Sequence, residues 1–422
     1  MPYTVSKWDS PKTIFPMSNI GLTLKNLRAL IQTFPKYTGS VSVVSPTRIY
    51  NQVLRWRTAL PHIDPYYAVK CNPNPVLLDH LARARVGFDC ASLQEINDIK
   101  NLTWDDTNSR PDTIYAHPMK SEQDILLVDS VNIETTVVDS VEECVKLDTV
   151  GWKGSALVRV AVDDKESDMP FSSKFGASLD EVKHIAKASK IPLTGISFHV
   201  GSGCKNPAQY TSAIQYSYTL FGILKQHGHC PSIVDIGGGF SSSRDIFWPM
   251  AQAIHRASLP KSVRMIAEPG RYFAQPSQDL FVRVIAKKPG LGGGWRYVID
   301  ESVYSYFSCI PFDKQQPSWL HLPANADKYQ SSKLQHSVVF GRTCDSLDVI
   351  AKGNMKEMEV GDWLYFPLMG AYTNSTASEF NGFPKPHMLI DTDNLLPDVD
   401  SAWKMKNTWH ASKKLTYSSS LV

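Results

Sequence analysis

The sequence predicts an α/β fold in which a (β/α)8 barrel is followed by a second, mainly β domain. Short apolar runs alternate with helical patterns from residue 41 to about 285, and this alternation indicates βα units and a parallel sheet. After about residue 285, strand-like runs are separated by Pro, Asn and Gly with few helical patterns. We therefore predict an N-terminal arm and helix over 1–40 that packs partly on the second domain, the barrel over 41–285, and the β domain over 286–422.

The elements can be followed in chain order. Leucines at helical spacing first predict a helix over 20–34. Strand-like runs then follow at 41–44, 66–69, 87–90, 113–116, 135–138, 156–162, 195–200, 233–236 and 265–267, with helical patterns between them such as 92–100, 140–147 and 179–189. Eight βα units in about 220 residues fit a closed barrel. An open doubly wound sheet is the alternative, but no Gly-x-Gly-x-x-Gly sequence follows the first strand. The runs at 295–299, 337–340 and 363–366 predict strands of the second domain.

Composition and charge exclude several classes of function. The 422 residues are 42% hydrophobic and 20% charged, and a net charge of +3 gives no reason to expect nucleic acid or a membrane surface as a partner. No apolar run is long enough to span a bilayer, and Met1 is not followed by a leader pattern. The seven cysteines are scattered without a Cys-x-x-Cys pair, so we expect no metal site and reduced thiols in the cytoplasm.

A lysine follows the second strand-like run directly. Tyr66 to Val69 leads into Lys70, and the turn sequence Asn72-Pro73-Asn74 comes next. Burial at a strand end is expected to lower the pKa of the amine and to make the neutral nucleophile accessible near pH 7. A lysine that snorkels from a strand end to solvent explains this stretch equally well.

Further polar residues stand at or near the ends of the other predicted strands. In a parallel barrel these ends form one face, which carries the functional residues. Each residue has an ordinary structural explanation, but so many polar groups on one face would each need a buried partner. The residues are Asp89, His117, Arg159, His199, the triplet Gly237-Gly238-Gly239, Glu268 and Arg271.

Three small-residue loops at this face favour an anion site. The strand at 233–236 runs into the three glycines, whose backbone amides can approach a phosphate closely. Gly270-Arg271 adds a guanidinium suited to two-bond phosphate contact, and Ser202 adds a hydroxyl. Any one of them is more simply a tight turn. Together with the strand-end lysine they predict a phosphorylated cofactor that carries an aldehyde, pyridoxal 5'-phosphate.

The motifs, in their order along the chain, resemble those of the eukaryotic ornithine decarboxylase family. The resemblance extends from about residue 20 to 405 and rests on Tyr67-Ala68-Val69-Lys70-Cys71-Asn72, Phe88-Asp89-Cys90-Ala91-Ser92, His199-Val200-Gly201-Ser202-Gly203-Cys204, Asp235-Ile236-Gly237-Gly238-Gly239-Phe240, Ala267-Glu268-Pro269-Gly270-Arg271-Tyr272, Thr343-Cys344-Asp345-Ser346-Leu347-Asp348, Gly370-Ala371-Tyr372-Thr373 and Phe380-Asn381-Gly382-Phe383. It implies an alanine-racemase-like barrel with a C-terminal β domain, and a homodimer whose active sites lie at the subunit interface.

The resemblance also implies a role for each matching residue. Lys70 resembles the lysine that holds the cofactor covalently, Glu268 the acid at the pyridine nitrogen, and His199 the ring that stacks on the cofactor. The residues that resemble the phosphate ligands are Ser202, Gly239, Gly270, Arg271 and Tyr372, and those that resemble the polar surroundings of the lysine are Asp89 and Arg159.

The remaining implied roles concern the substrate. Cys344 resembles the thiol that protonates the carbanion after carbon dioxide leaves. Asp313, next to Phe312, and Asp345 resemble the acids that bind the distal amine of a diamino acid. Cys344 and Asp345 are implied to come from the partner subunit.

The sequence departs from the family pattern at several positions, some of which surround the expected distal end of the substrate. Phe312 stands where the family has Tyr, Arg342 replaces a proline, and His117 stands where the family commonly has Asn. We therefore expect decarboxylation of ornithine or a related basic amino acid, with three alternatives. One is a larger ornithine-like or dicarboxylic substrate, as in a fungal alkaloid pathway, where Arg342 would meet a second carboxylate unless it is a solvated surface residue. The second is a non-catalytic binding protein, which the retained Lys70 and Cys344 disfavour. The third is a racemase, which the cysteine motif fits poorly.

Overall fold

The computed structural model describes residues 18–34, 39–102, 111–257, 259–290, 293–324 and 334–411. Within these ranges a closed eight-stranded parallel barrel is joined to a separate eight-stranded sheet. This confirms the predicted fold class. No helix in the described part of the chain combines the length and the apolar composition needed to cross a membrane.

The strands and helices are bounded as follows. The strands are β1 Val41–Val44, β2 Ile63–Ala68, β3 Gly87–Cys90, β4 Thr113–Tyr115, β5 Thr135–Val138, β6 Ser155–Val160, β7 Leu193–Phe198, β8 Ile233–Asp235, β9 Arg264–Ala267, β10 Gln278–Pro289, β11 Trp295–Ile299, β12 Leu320–Leu322, β13 Leu334–Phe340, β14 Val349–Lys356, β15 Trp363–Phe366 and β16 His387–Ile390. The helices are α1 Ser18–Gln32, α2 Pro46–Ala59, α3 Pro75–Arg83, α4 Leu93–Lys100, α5 Glu122–Asp129, α6 Val141–Val150, α7 Leu179–Ala188, α8 Pro207–Gln226, α9 Arg244–Arg256, α10 Gly270–Ala274, α11 Cys309–Asp313 and α12 Val399–Ala411.

The barrel consists of β2 to β9, each paired in parallel with its neighbours. Its short strands are almost wholly buried, which explains why they read as continuous apolar runs. Several strand-to-helix loops end in a serine whose side chain accepts a backbone amide of the first helical turn, as Ser92 does for α4 and Ser140 for α6. Ser178 and Glu181 form a reciprocal capping box at α7. Helices α4 and α6 therefore begin soon after β3 and β5, whereas α7 begins only after a longer loop over 161–178.

The first strand-like run is not a barrel strand, contrary to the prediction that it begins the βα series. Strand β1 pairs antiparallel with β10 and parallel with β16, so it belongs to the second sheet. All four of its residues are buried. A fully buried apolar run looks the same in a parallel barrel and in the centre of a mixed sheet, so the sequence pattern could not distinguish them.

The second sheet has the strand order β12-β15-β10-β11-β13-β14; β1 also pairs with β10, and β16 pairs with β1. Strand β10 runs across the predicted boundary at residue 285. The division into the segments 1–40, 41–285 and 286–422 remains a prediction. Helix α1 packs on this sheet, where Leu27 and Leu30 join a cluster with Phe281 and Tyr365.

A buried ion pair fixes the barrel to the sheet. The guanidinium of Arg48, on α2, donates to both carboxylate oxygens of Asp279, on β10, at 2.8 and 2.9 Å. The same carboxylate accepts the Tyr365 hydroxyl at 2.5 Å and the Leu368 amide at 2.7 Å. Because every oxygen is satisfied, breaking the pair would leave an uncompensated buried charge. The loop that follows β15 is thereby held over the barrel, where it reaches the site described next.

Candidate active site

Lys70 lies on a short 3-10 turn directly after β2. Its ammonium contacts the Oδ2 atom of Asp89 at 2.9 Å, and Asp89 lies on β3 directly opposite Ala68. The Asp89 side chain is 0% exposed, whereas 49% of the Lys70 side chain faces the open cavity. The Tyr67 hydroxyl donates to the Asn72 carbonyl at 2.9 Å and fixes the turn.

The predicted lowering of the Lys70 pKa is wrong. Burial does lower it, but Asp89, Glu268 and Tyr372 together outweigh burial and raise the pKa above its ordinary value. The amine is therefore an ammonium at neutral pH. The sequence did not show this because Asp89 comes from a neighbouring strand.

Glu268 follows β9 and forms a buried pair with Asp235, at the end of β8. Burial and the neighbouring Asp235 raise the pKa of Glu268 well above its usual value. Burial likewise raises the pKa of Asp235 to about 7. Asp235 also accepts the Gly237 amide at 2.9 Å. The two carboxyls titrate as one unit and retain at least one proton near neutral pH.

His199 follows β7 and presents a neutral ring to the cavity. Its Nδ1 atom accepts the Gly201 amide at 2.9 Å, and Phe171 packs edge-on with ring centroids 4.8 Å apart. Burial, followed by the charges of Arg159 and Lys70, lowers the His199 pKa well below its usual value. An uncharged imidazole suits stacking on an aromatic cofactor.

The glycine loop leaves no space for side chains. A Cβ atom on Gly239, whose φ is +100°, would lie 2.6 Å from the Gly201 carbonyl oxygen. A Cβ atom on Gly238 would lie 2.9 Å from the His199 ring. Nearby, Arg271 donates from Nη2 to the Ser202 hydroxyl at 2.9 Å, and its guanidinium lies 5.2 Å from the Tyr372 ring centroid. A small-residue cradle beside a hydroxyl and a guanidinium fits the phosphate of pyridoxal phosphate.

Most of the predicted site residues line one cavity of about 390 Å3. Asp89 does not line it but reaches it through Lys70. Arg159 lies with its guanidinium 4.9 Å from the Phe175 ring centroid. The sequence-predicted residues that line the cavity are Lys70, His117, Arg159, His199, Ser202, Gly238, Gly239, Glu268, Gly270, Arg271, Phe312, Asp313 and Tyr372.

The loop that carries Tyr372 comes from the sheet domain and docks on the Lys70 turn. The Tyr372 amide donates to the Cys71 carbonyl at 3.0 Å, and the Asn72 side chain donates to the Gly370 carbonyl at 2.8 Å. The cavity is thus built from both parts of the chain.

Cys344 and Asp345 do not line this cavity. Cys344 is exposed, and its amide donates to the Asn381 side chain at 3.0 Å. Asp345 accepts the Tyr304 hydroxyl, and the Tyr304 ring stacks on Phe380 with centroids 4.3 Å apart. One chain therefore does not bring its own predicted proton donor to its own lysine.

Arg342 also lies outside the cavity. It is half-buried, packs with its guanidinium 4.7 Å from the Phe383 ring centroid and donates to the Pro384 carbonyl at 2.5 Å. It is therefore not a freely solvated surface residue, and it meets no substrate in its own chain.

Two polar side chains near Asp313 were missed by the sequence reasoning, and neither lines the cavity itself. Gln315 donates from Nε2 to Asp313 at 2.6 Å and to the Ala371 carbonyl at 2.8 Å. Lys406, on α12, lies with its ammonium 5.2 Å from the Trp403 ring centroid. Burial lowers the Lys406 pKa to about 8; Cys309 and Asp313 oppose this shift, whereas Arg271 adds to it. No motif marks Lys406, because α12 lies far along the chain from the barrel.

The fold and this site define a class of protein: enzymes that bind pyridoxal phosphate in a barrel completed by a sheet domain. Two family models match the chain. One, described as "Pyridoxal-dependent decarboxylase, pyridoxal binding domain", matches residues 47–275. The other, described as "Pyridoxal-dependent decarboxylase, C-terminal sheet domain", matches residues 225–370.

Comparison with known proteins specifies the family. The chain is 37% identical over 413 residues to the ornithine decarboxylase of Schizosaccharomyces pombe, covering 93% of each chain. It is 35% identical to that of Mus musculus, over 81% of this chain and 78% of the mouse protein. The chain belongs to the ornithine decarboxylase family and is a pyridoxal-phosphate-dependent amino-acid decarboxylase.

Solved structures are similar over most of the chain. An arginine decarboxylase of Paramecium bursaria Chlorella virus, bound to agmatine, matches with a TM-score of 0.81 and 34% identity, covering 87% of this chain and 100% of that one. A lysine/ornithine decarboxylase of Vibrio vulnificus, complexed with cadaverine, matches with a TM-score of 0.77 and 28% identity, covering 89% and 99%.

Proposed function

We propose that this chain decarboxylates ornithine or a closely related basic amino acid to an amine and carbon dioxide. The observation that carries the proposal is that Lys70, Glu268, the Ser202–Arg271 cradle and the buried acid Asp313 line one cavity. An acid in the same cavity as the cofactor lysine suits a substrate with a second, cationic end. The names of the similar proteins, ornithine, arginine and lysine/ornithine decarboxylases, support the same substrate class.

The site residues divide the work of the reaction. Bound pyridoxal phosphate supplies an electron sink for the charge left on Cα when the carboxylate departs. Ser202, Gly239 and Arg271 would hold its phosphate, and Glu268, kept protonated beside Asp235, would share a proton with its ring nitrogen. Asp89 holds the Lys70 ammonium in place, and this ammonium must lose a proton before the amine can act as a nucleophile.

The walls of the cavity favour loss of carbon dioxide. Met169, Phe171 and Phe175 are apolar residues that line the cavity. A carboxylate held against apolar walls is poorly hydrated, whereas carbon dioxide is uncharged, so exclusion of water favours the departing form. His199 adds a neutral ring surface.

We further propose that the active enzyme is a homodimer with shared sites, in which Cys344 and Asp345 serve the partner subunit. Their position outside their own cavity supports this, as do exposed apolar side chains nearby: Leu347 is 70% exposed and Phe380 is 42% exposed. In such a dimer Cys344 would return a proton to Cα and Asp345 would bind the distal amine.

We also propose a cytoplasmic location, supported by seven cysteines that are all unpaired.

A second candidate is a substrate that carries a carboxylate at its distal end. The observation that favours it is Lys406, an additional cation beside Asp313 and Arg271 with no carboxylate within 4 Å among the described residues. A distal group with both charges would find an anion and a cation there.

Measurement of carbon dioxide release over a panel of amino acids tests both candidates. The panel contains ornithine, lysine, arginine and 2,6-diaminopimelate, and Lys70→Ala is the control. We expect release from at least one diamino acid and none above background in the control. If none of the panel is decarboxylated by protein saturated with pyridoxal phosphate, the proposed substrate class is wrong.

A further inference from the structure

Asp313 and Arg271 are hydrogen-bonded to each other. Arg271 donates from Nη1 to Oδ2 at 2.7 Å and from Nη2 to Oδ1 at 2.6 Å. Both side chains are largely buried, with 16% of Arg271 and 8% of Asp313 exposed. Two parallel charged hydrogen bonds with little solvent access form one of the stronger pairings available to a protein.

This pairing joins two residues that are assigned to different ligands. Arg271 belongs to the phosphate cradle, since the same Nη2 atom also donates to Ser202 at 2.9 Å. Asp313 is the acid assigned to the distal amine of the substrate. While Asp313 is paired with Arg271, the guanidinium already balances the negative charge of the carboxylate. The ammonium of an incoming substrate is therefore attracted less strongly.

A cofactor phosphate changes this balance. A phosphate monoester carries a charge of about −1.5 to −2 near pH 7, against −1 for a carboxylate, and it presents three acceptor oxygens. It therefore competes with Asp313 for the guanidinium. Asp313 has room to reorient, because the pair also lines an adjoining cavity of about 320 Å3. In the paired arrangement, Gln315 also donates to Asp313 at 2.6 Å.

We propose that Asp313 holds the place of the cofactor phosphate on Arg271, and that phosphate binding releases this carboxylate to bind the substrate's distal amine. The inference rests on the proposed function for the assignment of Asp313 to that amine. Cofactor and substrate binding are then linked, and linkage is reciprocal: whatever favours one favours the other by the same factor. The opposing explanation is that Asp313 only orients Arg271, in which case its removal would weaken phosphate binding.

The first test measures cofactor affinity for the cofactor-free protein and its Asp313→Asn variant, which keeps the shape but removes the charge. The absorbance of bound pyridoxal phosphate reports binding. We expect the variant to bind pyridoxal phosphate at least about fivefold more tightly, within the usual range of such couplings. Its affinity for pyridoxal, which has no phosphate, is expected not to change.

A matched control removes a nearby acid that does not contact Arg271. Asp168 lines the adjoining cavity and pairs with Lys205 at 2.6 Å. Asp168→Asn is expected to bind both compounds as the wild type does. Weaker or unchanged binding of pyridoxal phosphate by Asp313→Asn would contradict the proposal.

The second test uses only the wild-type protein and so does not depend on a variant that folds. Binding of 1,4-diaminobutane to the cofactor-free chain is measured by calorimetry with inorganic phosphate or with sodium chloride of equal ionic strength. We expect tighter diamine binding in phosphate. Equal affinity in both would overturn the inference. A wild-type protein that bound no pyridoxal phosphate would instead refute the proposed function, so the two failures are distinguishable.

Discussion

Replacement of Asp89 by asparagine is expected to lower the pKa of Lys70. The raised pKa depends on the 2.9 Å contact between the Lys70 ammonium and Asp89 Oδ2, which outweighs the effect of burial together with Glu268 and Tyr372. Asparagine keeps the shape of the side chain but removes its charge. The free amine should therefore be more abundant in the variant at any fixed pH between neutral and 10.

The magnitude follows from the contact. A hydrogen bond between charged groups contributes about 1.5–3 kcal/mol, and one pKa unit corresponds to about 1.4 kcal/mol. Because 49% of the Lys70 side chain faces the open cavity, solvent screening favours the lower end of this range. We therefore expect a downward shift of about one pKa unit.

Competitive acetylation measures this shift directly. The cofactor-free protein and its Asp89→Asn variant are treated with acetic anhydride between pH 7 and 11, and mass spectrometry gives the labelled fraction of each lysine. Exposed Lys183, paired with Asp180 at 2.7 Å, is the internal reference and should behave alike in both proteins. If the Lys70 profile does not move, or moves to higher pH, Asp89 does not control the charge of this lysine.

Three further outcomes are expected. Lys70→Ala and Cys344→Ala chains, each unable alone to form the protonated amine product, should regain about a quarter of wild-type amine formation when mixed, since half of the dimers then contain one intact site; no recovery despite subunit exchange would contradict shared sites. Burial raises the pKa of Asp235 to about 7 and that of Glu268 well above its usual value, so the stability that protonated Asp235 contributes is present below about pH 4 and lost as pH rises through about 7; in thermal melts, Asp235→Asn should lose less stability between pH 5 and 8 than the wild type, and an equal loss would refute this. Gly239→Ala, at φ +100° and 2.6 Å from a carbonyl oxygen, should weaken pyridoxal phosphate binding by at least tenfold, about 1.4 kcal/mol, in an absorbance titration; unchanged binding would show that the loop does not contact the cofactor.

The sequence identified most of the barrel and most of the cavity for one physical reason. Buried parallel strands are continuous apolar runs, and the polar residue at the end of each run lies on the functional face. Lys70, His199 and Glu268 were recognised in this way, and the structure brings them to one cavity.

What the sequence could not show depends on contacts between distant segments. The pairing of β1 with β10 and β16, the contact of Asp89 with Lys70, and the approach of Lys406 to Asp313 all join residues from different elements. Neither apolar periodicity nor local motifs encode which distant element becomes the partner. The Asp313–Arg271 pair is another such case, because each residue reads as a ligand contact when considered alone.

The proposed reaction depends most on Lys70, the residue expected to bind the cofactor covalently. Protein loaded with pyridoxal phosphate is reduced with borohydride, and peptide mass mapping then locates the attached cofactor. Carbon dioxide release from ornithine and from 2,6-diaminopimelate is measured before and after the reduction. We predict attachment at Lys70, with release lost in proportion to the reduced fraction. Attachment at another lysine, or full release from protein reduced at Lys70, would contradict the account.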